Sequence, residues 1–219
     1  METIQLSETK KQNGFVSILA KFFSYVFHPL FIPVYFFIWT YLRFPAEFAA
    51  LAEKEVMLRL AGVFITTALF PALTVFLLWR LKFISNIYLH TTRERIIPYV
   101  ASMIFYWWIW YLAREFSDQA LSLKFFYFGI FIATIPALIL NSFTKISMHA
   151  MGVSGFITAM IISCFMFKLY YGLDISLALL TGGIVLSSRI YLKQHTMPEI
   201  FLGVIVGALS QIIAYWIMV

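Results

Sequence analysis

The sequence has little charge and almost no cysteine. Asp, Glu, Lys and Arg make up only 12% of the 219 residues, and Cys164 is the single cysteine. One cysteine excludes an intrachain disulfide framework and a cysteine-rich metal site, so we interpret Cys164 as a small apolar packing residue. So low a charge content is not typical of a soluble domain.

The basic residues are not gathered into one surface. The formal net charge is +6 at pH 7, but Lys and Arg occur mainly in short segments between apolar runs. Nucleic-acid-binding proteins instead cluster them on one face or along one helix. We therefore expect no nucleic-acid partner.

Apolar residues are what the sequence has in abundance. Hydrophobic residues make up 62% of the chain, including 24 Phe, and a membrane-spanning helix needs about 20 predominantly apolar residues. The sequence predicts an all-α, polytopic transmembrane bundle of six to seven spans, with a polar tail over residues 1–21 and a single transmembrane domain over 22–219. The first span lacks a small-residue cleavage pattern, so we expect an anchor rather than a removed signal peptide. The candidate spans lie near residues 22–42, 60–79, 96–113, 121–143, 149–168, 175–192 and 199–218.

Counting these spans places three polar loops on the same side of the membrane as the N-terminus. The loops read HTTRERIIP, NSFTKISMH and RIYLKQHTMPE, and they follow two, four and six crossings. Each contains a cation, and the last two place a histidine at a helix end. Loops on the opposite side contain no histidine, so the two sides are chemically unequal.

The last of these loops places four polar groups close together. Arg189 alone is explained by a long side chain that reaches the membrane interface. Thr196 and Glu199 have the spacing of a capping box, in which the carboxylate accepts a hydrogen bond from the Thr196 N–H. Alternatively, Glu199 accepts a hydrogen bond from His195, which fixes the tautomer and makes the other ring nitrogen a better nucleophile. Both interpretations of Glu199 remain open from sequence.

The preceding loop predicts an anion site at a helix start. Ser147 is placed to cap the fifth span, and His149 lies in its first turn. Free N–H groups and the helix dipole favour an oxyanion or phosphate there, and Lys145 adds a positive charge. His149 taken alone is equally explained as an interfacial histidine with ordinary hydrogen bonds.

These residues resemble the motifs of the type 2 phosphatidic acid phosphatases, the membrane branch of the superfamily that includes the vanadium haloperoxidases. The third family motif is Ser-Arg, five residues, His, three residues, Asp. Here the pattern is Ser188-Arg189, IYLKQ, His195, TMP, Glu199, with Glu in place of Asp.

The two other family motifs match less completely. The second motif, Pro-Ser-Gly-His, corresponds to Ile146-Ser147-Met148-His149, where Ser and His match. For the first motif, Lys followed after six residues by Arg-Pro, the segment RERIIP offers Arg93 and Arg95, but Pro98 is displaced and the Lys is missing. The resemblance covers about residues 85–210 and implies a haloperoxidase-like helical core.

The resemblance implies a mechanism and a substrate class. His195 would be the nucleophile that forms a phosphohistidine, His149 the general acid and Glu199 the residue that orients His195, with no metal or other cofactor. The substrate would be a phospholipid or isoprenoid-lipid phosphate or diphosphate, and the protein a hydrolase in a bacterial inner membrane with a periplasmic active face. The phosphate-binding residues would be Arg189, Arg95, Arg93, Lys145 and Ser147.

Other functions and features remain open from sequence. A lipid-phosphate binder or transporter would keep the anion site without turnover, and a phosphotransferase would pass the phosphoryl group to an alcohol. A b-type haem held by His28 and His149 would leave Arg189 and Glu199 unexplained. The segment His28-Pro29 either kinks the first span and lines the substrate entrance, or buries a histidine against a backbone carbonyl. His90 is expected to be a solvated loop residue, and the oligomeric state is open.

Overall fold

The computed structural model describes residues 14–89 and 91–219 as a bundle of helices. Seven segments in this part of the chain are long and apolar enough to cross a membrane. The prediction of an all-α bundle with up to seven spans is therefore confirmed, whereas His90 and residues 1–13 of the predicted tail lie outside the described residues. The helices are α1 Gly14–Val26, α2 Ile32–Arg43, α3 Glu53–Phe64, α4 Phe70–Arg80, α5 Thr92–Glu115, α6 Leu121–Asn141, α7 Met148–Phe167, α8 Gly172–Tyr191 and α9 Met197–Met218.

The first two spans begin earlier than hydropathy predicts. The first starts at Gly14 rather than near residue 22, and the second starts at Glu53 rather than near residue 60. Glu55 accepts a hydrogen bond from the Ala52 N–H at 2.8 Å, which satisfies a free donor at the start of α3. The charged first turn of α3 is compatible with a helix but lowers the mean hydropathy, so a hydropathy window omits it from the second span.

Each of the first two spans is interrupted near its middle. The first breaks at a 3₁₀ turn, Pro29–Phe31, that separates α1 from α2, and the second contains a π-helical segment, Ile65–Leu69, between α3 and α4. Pro29 lacks the N–H that a continuous helix would use. The Thr67 hydroxyl donates to the Leu30 carbonyl at 3.5 Å, so the two interruptions lie side by side. They leave room for a cavity between these spans and the rest of the bundle.

The helix pair α7 and α9 packs closely through the two glycines of the GxxxG pattern in the last span. A Cβ atom on Gly203 would lie 2.6 Å from the Ser147 carbonyl oxygen and 2.9 Å from the Ala150 Cβ. Gly207 would meet the Met151 carbonyl oxygen in the same way. Small residues at this spacing are typical of closely packed membrane helices. The contact fixes the start of α9 against the start of α7.

We expect the substitution Gly203→Ala to destabilise the bundle by about 1–3 kcal/mol, because the added methyl group must push the two helices apart. Gly183→Ala is the matched control, since a Cβ there meets nothing within 4 Å and alanine is the better helix former. Thermal unfolding in detergent measures both. An unchanged midpoint for Gly203→Ala would contradict the close α7–α9 contact.

Candidate active site

A cavity of about 880 Å³ lies on the side of the bundle that holds the three polar loops. Its wall is formed by α1, the turn after it, α4, the first half of α5, the start of α7, the end of α8 and the loops before α7 and α9. Residues as far apart in sequence as Lys21 and His195 meet here. The predicted site residues that line this cavity are Arg95, Lys145, His149, Arg189 and His195.

His195 is buried, and one of its ring nitrogens is fully used. Its Nδ1 lies 3.2 Å from Glu199 Oε2 and 3.1 Å from the carbonyl oxygen of Lys145. Both partners accept hydrogen bonds, so the ring proton is on Nδ1. Nε2 has no hydrogen bond to any described residue, and it therefore keeps its lone pair for a ligand.

Glu199 performs both of the roles that the sequence left open. The same carboxylate oxygen that contacts His195 accepts a hydrogen bond from the Thr196 N–H at 2.9 Å. The Glu199 main-chain carbonyl also accepts from the Ser147 N–H at 3.3 Å, which ties the start of α9 to the loop before α7. One residue thus caps a helix and orients the histidine.

Burial and nearby cations keep His195 uncharged. Desolvation is the largest cause that lowers its pKa, Arg189 and Arg95 lower it further, and Glu199 opposes them, so that the pKa falls to about 4. The pKa of Lys145 is also lowered, first by burial and then by Arg95 and Arg189. At neutral pH the imidazole of His195 is therefore the neutral, nucleophilic form.

His149 lies at the start of α7 and contacts α1. Its side chain is buried, and its Nε2–H donates to the carbonyl oxygen of Ser24 at 3.0 Å. The centroid of its ring is 5.2 Å from that of His28, at an interplanar angle of 83°. Nδ1 of His149 is thus the ring nitrogen that makes no hydrogen bond to a described residue.

Arg95 and Arg189 present guanidinium groups to the cavity in different ways. Arg95 is anchored by main-chain carbonyls, with Nε donating to Leu89 at 3.0 Å and Nη1 to Ile146 at 3.5 Å. The Nε of Arg189 is buried and makes no hydrogen bond to a described residue. A buried donor without a partner is costly, which sets Arg189 apart from the anchored Arg95.

The arginines of the opposite side are paired with carboxylates. Arg43 contacts Asp174 at 2.6 Å, Arg59 contacts Asp118 at 2.8 Å and Arg114 contacts Glu115 at 3.0 Å. In contrast, none of the ion pairs among the described residues includes one of the three cavity cations Arg95, Lys145 and Arg189. Among the described residues, the cavity cations thus differ from these three arginines in having no carboxylate partner.

Two hydroxyl groups in the cavity wall also have no partner within the described part of the chain. Ser24 Oγ and Tyr99 OH are buried, and the two side chains are only 5% and 2% exposed. Buried polar atoms in proteins normally have a partner. Together with the Nε of Arg189, these atoms form a group of buried polar atoms beside the cavity that the described residues leave without a partner.

Two predicted phosphate-binding residues lie outside the cavity lining. Arg93 is exposed on α5, two residues before Arg95. Ser147 is fully buried and caps α7, with its hydroxyl accepting a hydrogen bond from the Ala150 N–H at 3.4 Å. Ser147 therefore confirms the predicted helix start, while its hydroxyl is occupied by the cap.

Several wall residues were not assigned to the site from the sequence, among them Tyr99, Ser24 and Lys21. Tyr99 follows Arg95 by four positions, which places both on one face of α5, and this spacing was the available signal. Ser24 and Lys21 come from α1, outside the region of family resemblance, and nothing local marks them. His28 also lines the cavity, as one of its two sequence interpretations predicts.

Neither a metal site nor a known relative accounts for the cavity. The described residues contain no group of three or more His, Cys, Asp or Glu side chains that could hold a metal ion. No protein-family model, curated protein or solved structure matches the chain. The function therefore rests on the geometry of the cavity.

Proposed function

We propose that this protein is a membrane lipid phosphatase that hydrolyses a lipid phosphate or diphosphate through a phosphohistidine at His195. One observation supports it above the others: unpaired cations and a histidine with a free Nε2 line the same cavity. A phosphate supplies the negative charge that the cations lack, and its phosphorus is the electrophile that a neutral imidazole attacks. These are also the roles implied by the resemblance to the type 2 phosphatidic acid phosphatases.

The reaction takes place in two displacements. The Nε2 lone pair of His195 forms a bond to phosphorus as the bond to the leaving oxygen breaks. His149 takes up a proton on Nδ1 as the phosphate monoanion binds beside it and gives up its acidic proton, and it then passes that proton to the leaving oxygen. Water then attacks the phosphohistidine, neutral His149 takes up the proton of the water, and the P–N bond breaks to release phosphate. Glu199 holds the His195 ring and stabilises the positive charge that develops on it.

The cations stabilise the charge that the phosphoryl group spreads over its oxygens during transfer. Arg189 and Arg95 offer planar guanidinium groups that fit phosphate oxygens two at a time. Lys145 adds a point charge. Because main-chain carbonyls hold Arg95 in place before substrate binds, this group needs little reorganisation in the transition state.

The apolar part of the cavity wall favours a lipid over a soluble phosphate ester. The apolar lining includes Leu30 and four residues of α4, Pro71, Ala72, Val75 and Phe76. A headgroup would contact the cations while the first carbons of its chain contact these apolar residues. We propose an inner-membrane location with the cavity facing the periplasm.

The first test is phosphate release from defined lipids by purified protein in mixed micelles without added metal. Phosphatidate, phosphatidylglycerol phosphate and an isoprenoid diphosphate form the substrate panel. We expect free phosphate from at least one lipid and acid-labile label on the protein when the phosphate is radioactive, as phosphohistidine requires. Transfer of the label to an added alcohol instead of water would identify a phosphotransferase. A protein that binds these lipids without turnover at any pH would contradict the proposal.

A further inference from the structure

His28 lies at the break between α1 and α2, where its ring has a defined tautomer. Its Nδ1 accepts a hydrogen bond from the Leu30 N–H at 3.4 Å, which caps the turn Pro29–Phe31. An accepting Nδ1 has no proton, so the neutral ring holds its proton on Nε2. The second nitrogen of His28 is therefore a hydrogen-bond donor without any need for a positive charge.

The neighbouring His149 has the opposite arrangement. Its Nε2–H is used by the Ser24 carbonyl, so Nδ1 is its free nitrogen. The two rings are in edge-to-face contact and both line the cavity. A group bound beside them meets a permanent donor on His28 and a nitrogen on His149 that can give or take a proton.

We propose that His28 is a catalytic residue of this site, donating its Nε2–H to the leaving-group oxygen while His149 supplies the proton. The inference rests on the proposed phosphatase function and adds a group from the first span, outside the region of motif resemblance. An oxygen that becomes negatively charged as its bond to phosphorus breaks gains most from a fixed donor in the transition state. The donor therefore matters more when the leaving group is a poor one, such as a lipid alkoxide.

Two substitutions separate this role from the helix-capping role. His28→Asn keeps an acceptor near the position of Nδ1, and Asn is among the best capping residues, but the donor at Nε2 is lost. In His28→Gln, the longer side chain places its amide about as far from the main chain as Nε2 of the histidine. The capping hydrogen bond from the Leu30 N–H is lost. If His28 only caps the turn, His28→Asn should be tolerated better than His28→Gln. If His28 is catalytic, His28→Gln should keep more activity than His28→Asn.

The experiment measures kcat and KM for a lipid phosphate and for an aryl phosphate with a good leaving group. We expect His28→Asn to lower kcat for the lipid by about 10²-fold, to change kcat for the aryl ester by less than about tenfold and to leave the melting temperature unchanged. His28→Gln should keep more lipid activity and melt at a lower temperature. Wild-type kcat in His28→Asn, or an equal loss with both substrates, would overturn the assignment.

The same variants distinguish failure of this inference from failure of the proposed function. If His195→Ala abolishes turnover while His28→Asn does not alter it, the phosphatase stands and the role of His28 is wrong. If the wild type turns over no lipid, the proposed function is wrong, and affinity for inorganic phosphate is compared by calorimetry. Weaker binding by His28→Asn than by His28→Gln would then support a ligand contact, and equal binding by wild type and His28→Asn would overturn it.

Discussion

Replacing His195 by alanine is expected to reduce lipid phosphate hydrolysis by about 10⁴-fold or more, the scale seen when a catalytic nucleophile is removed. The reason is that Nε2 of His195 is the free nitrogen of a ring whose other nitrogen is fixed by Glu199 and a main-chain carbonyl. Steady-state release of phosphate measures the loss, and trapping of radioactive phosphate on the protein tests its cause.

The trapped label separates a lost nucleophile from a damaged fold. We expect no label on His195→Ala and a melting temperature close to that of the wild type, because the alanine leaves the helix cap from Thr196 to Glu199 intact. Affinity for inorganic phosphate should remain measurable, since the cavity cations are unchanged. Full activity in this variant, or label at another residue, would remove His195 from its proposed role.

Replacing Arg189 by lysine is expected to lower kcat by about 10²- to 10³-fold, the cost of losing one preorganised contact to developing charge. Lysine keeps the positive charge but not the planar pair of donors, and the Nε position of Arg189 is buried without another partner. Arg80→Lys is the control, an exposed arginine at the end of α4 on the same side of the bundle. An equal effect of the two substitutions would contradict a specific role for Arg189.

The pH profile gives the Arg189 variants a second readout. Because burial, Arg189 and Arg95 lower the pKa of His195 to about 4, the acid limb of kcat/KM in the wild type should lie near pH 4, where the ring gains a proton and loses its nucleophilic lone pair. Arg189→Gln removes a cation that opposes protonation, so its acid limb should move upward, toward the ordinary histidine value. Arg189→Lys should leave the limb near its wild-type position. A limb at the same pH in all three proteins would contradict the electrostatic coupling of these residues.

Local sequence patterns predicted the helix ends at the site better than they predicted which side chains line the cavity. The capping contacts of Ser147 and Glu199 follow from spacings of three or four residues within one helix, where sequence distance fixes spatial distance. Spacing within the helix does not show whether Arg93 or Arg95 faces the cavity. Residues two positions apart point to nearly opposite sides of a helix, and the side that faces the cavity depends on how α5 packs.

The first span shows what sequence could not supply. His28 and Ser24 enter the cavity because α1 is broken before α2 and packs along α8. A run of apolar residues predicts that a helix crosses the membrane, but it does not predict which neighbours it touches. The seven spans were therefore predictable from composition, whereas the contribution of α1 required the packed structure.

His195 contacts the main-chain carbonyl oxygen of Lys145. A substitution can remove a side-chain carboxylate, but it cannot remove this backbone oxygen. The ring keeps one acceptor for its Nδ1 proton whatever side chain occupies position 199, so the length of that side chain is under weaker constraint. A glutamate at that position is tolerable for this reason, and the imidazole would retain its tautomer even where the acid was exchanged for an amide.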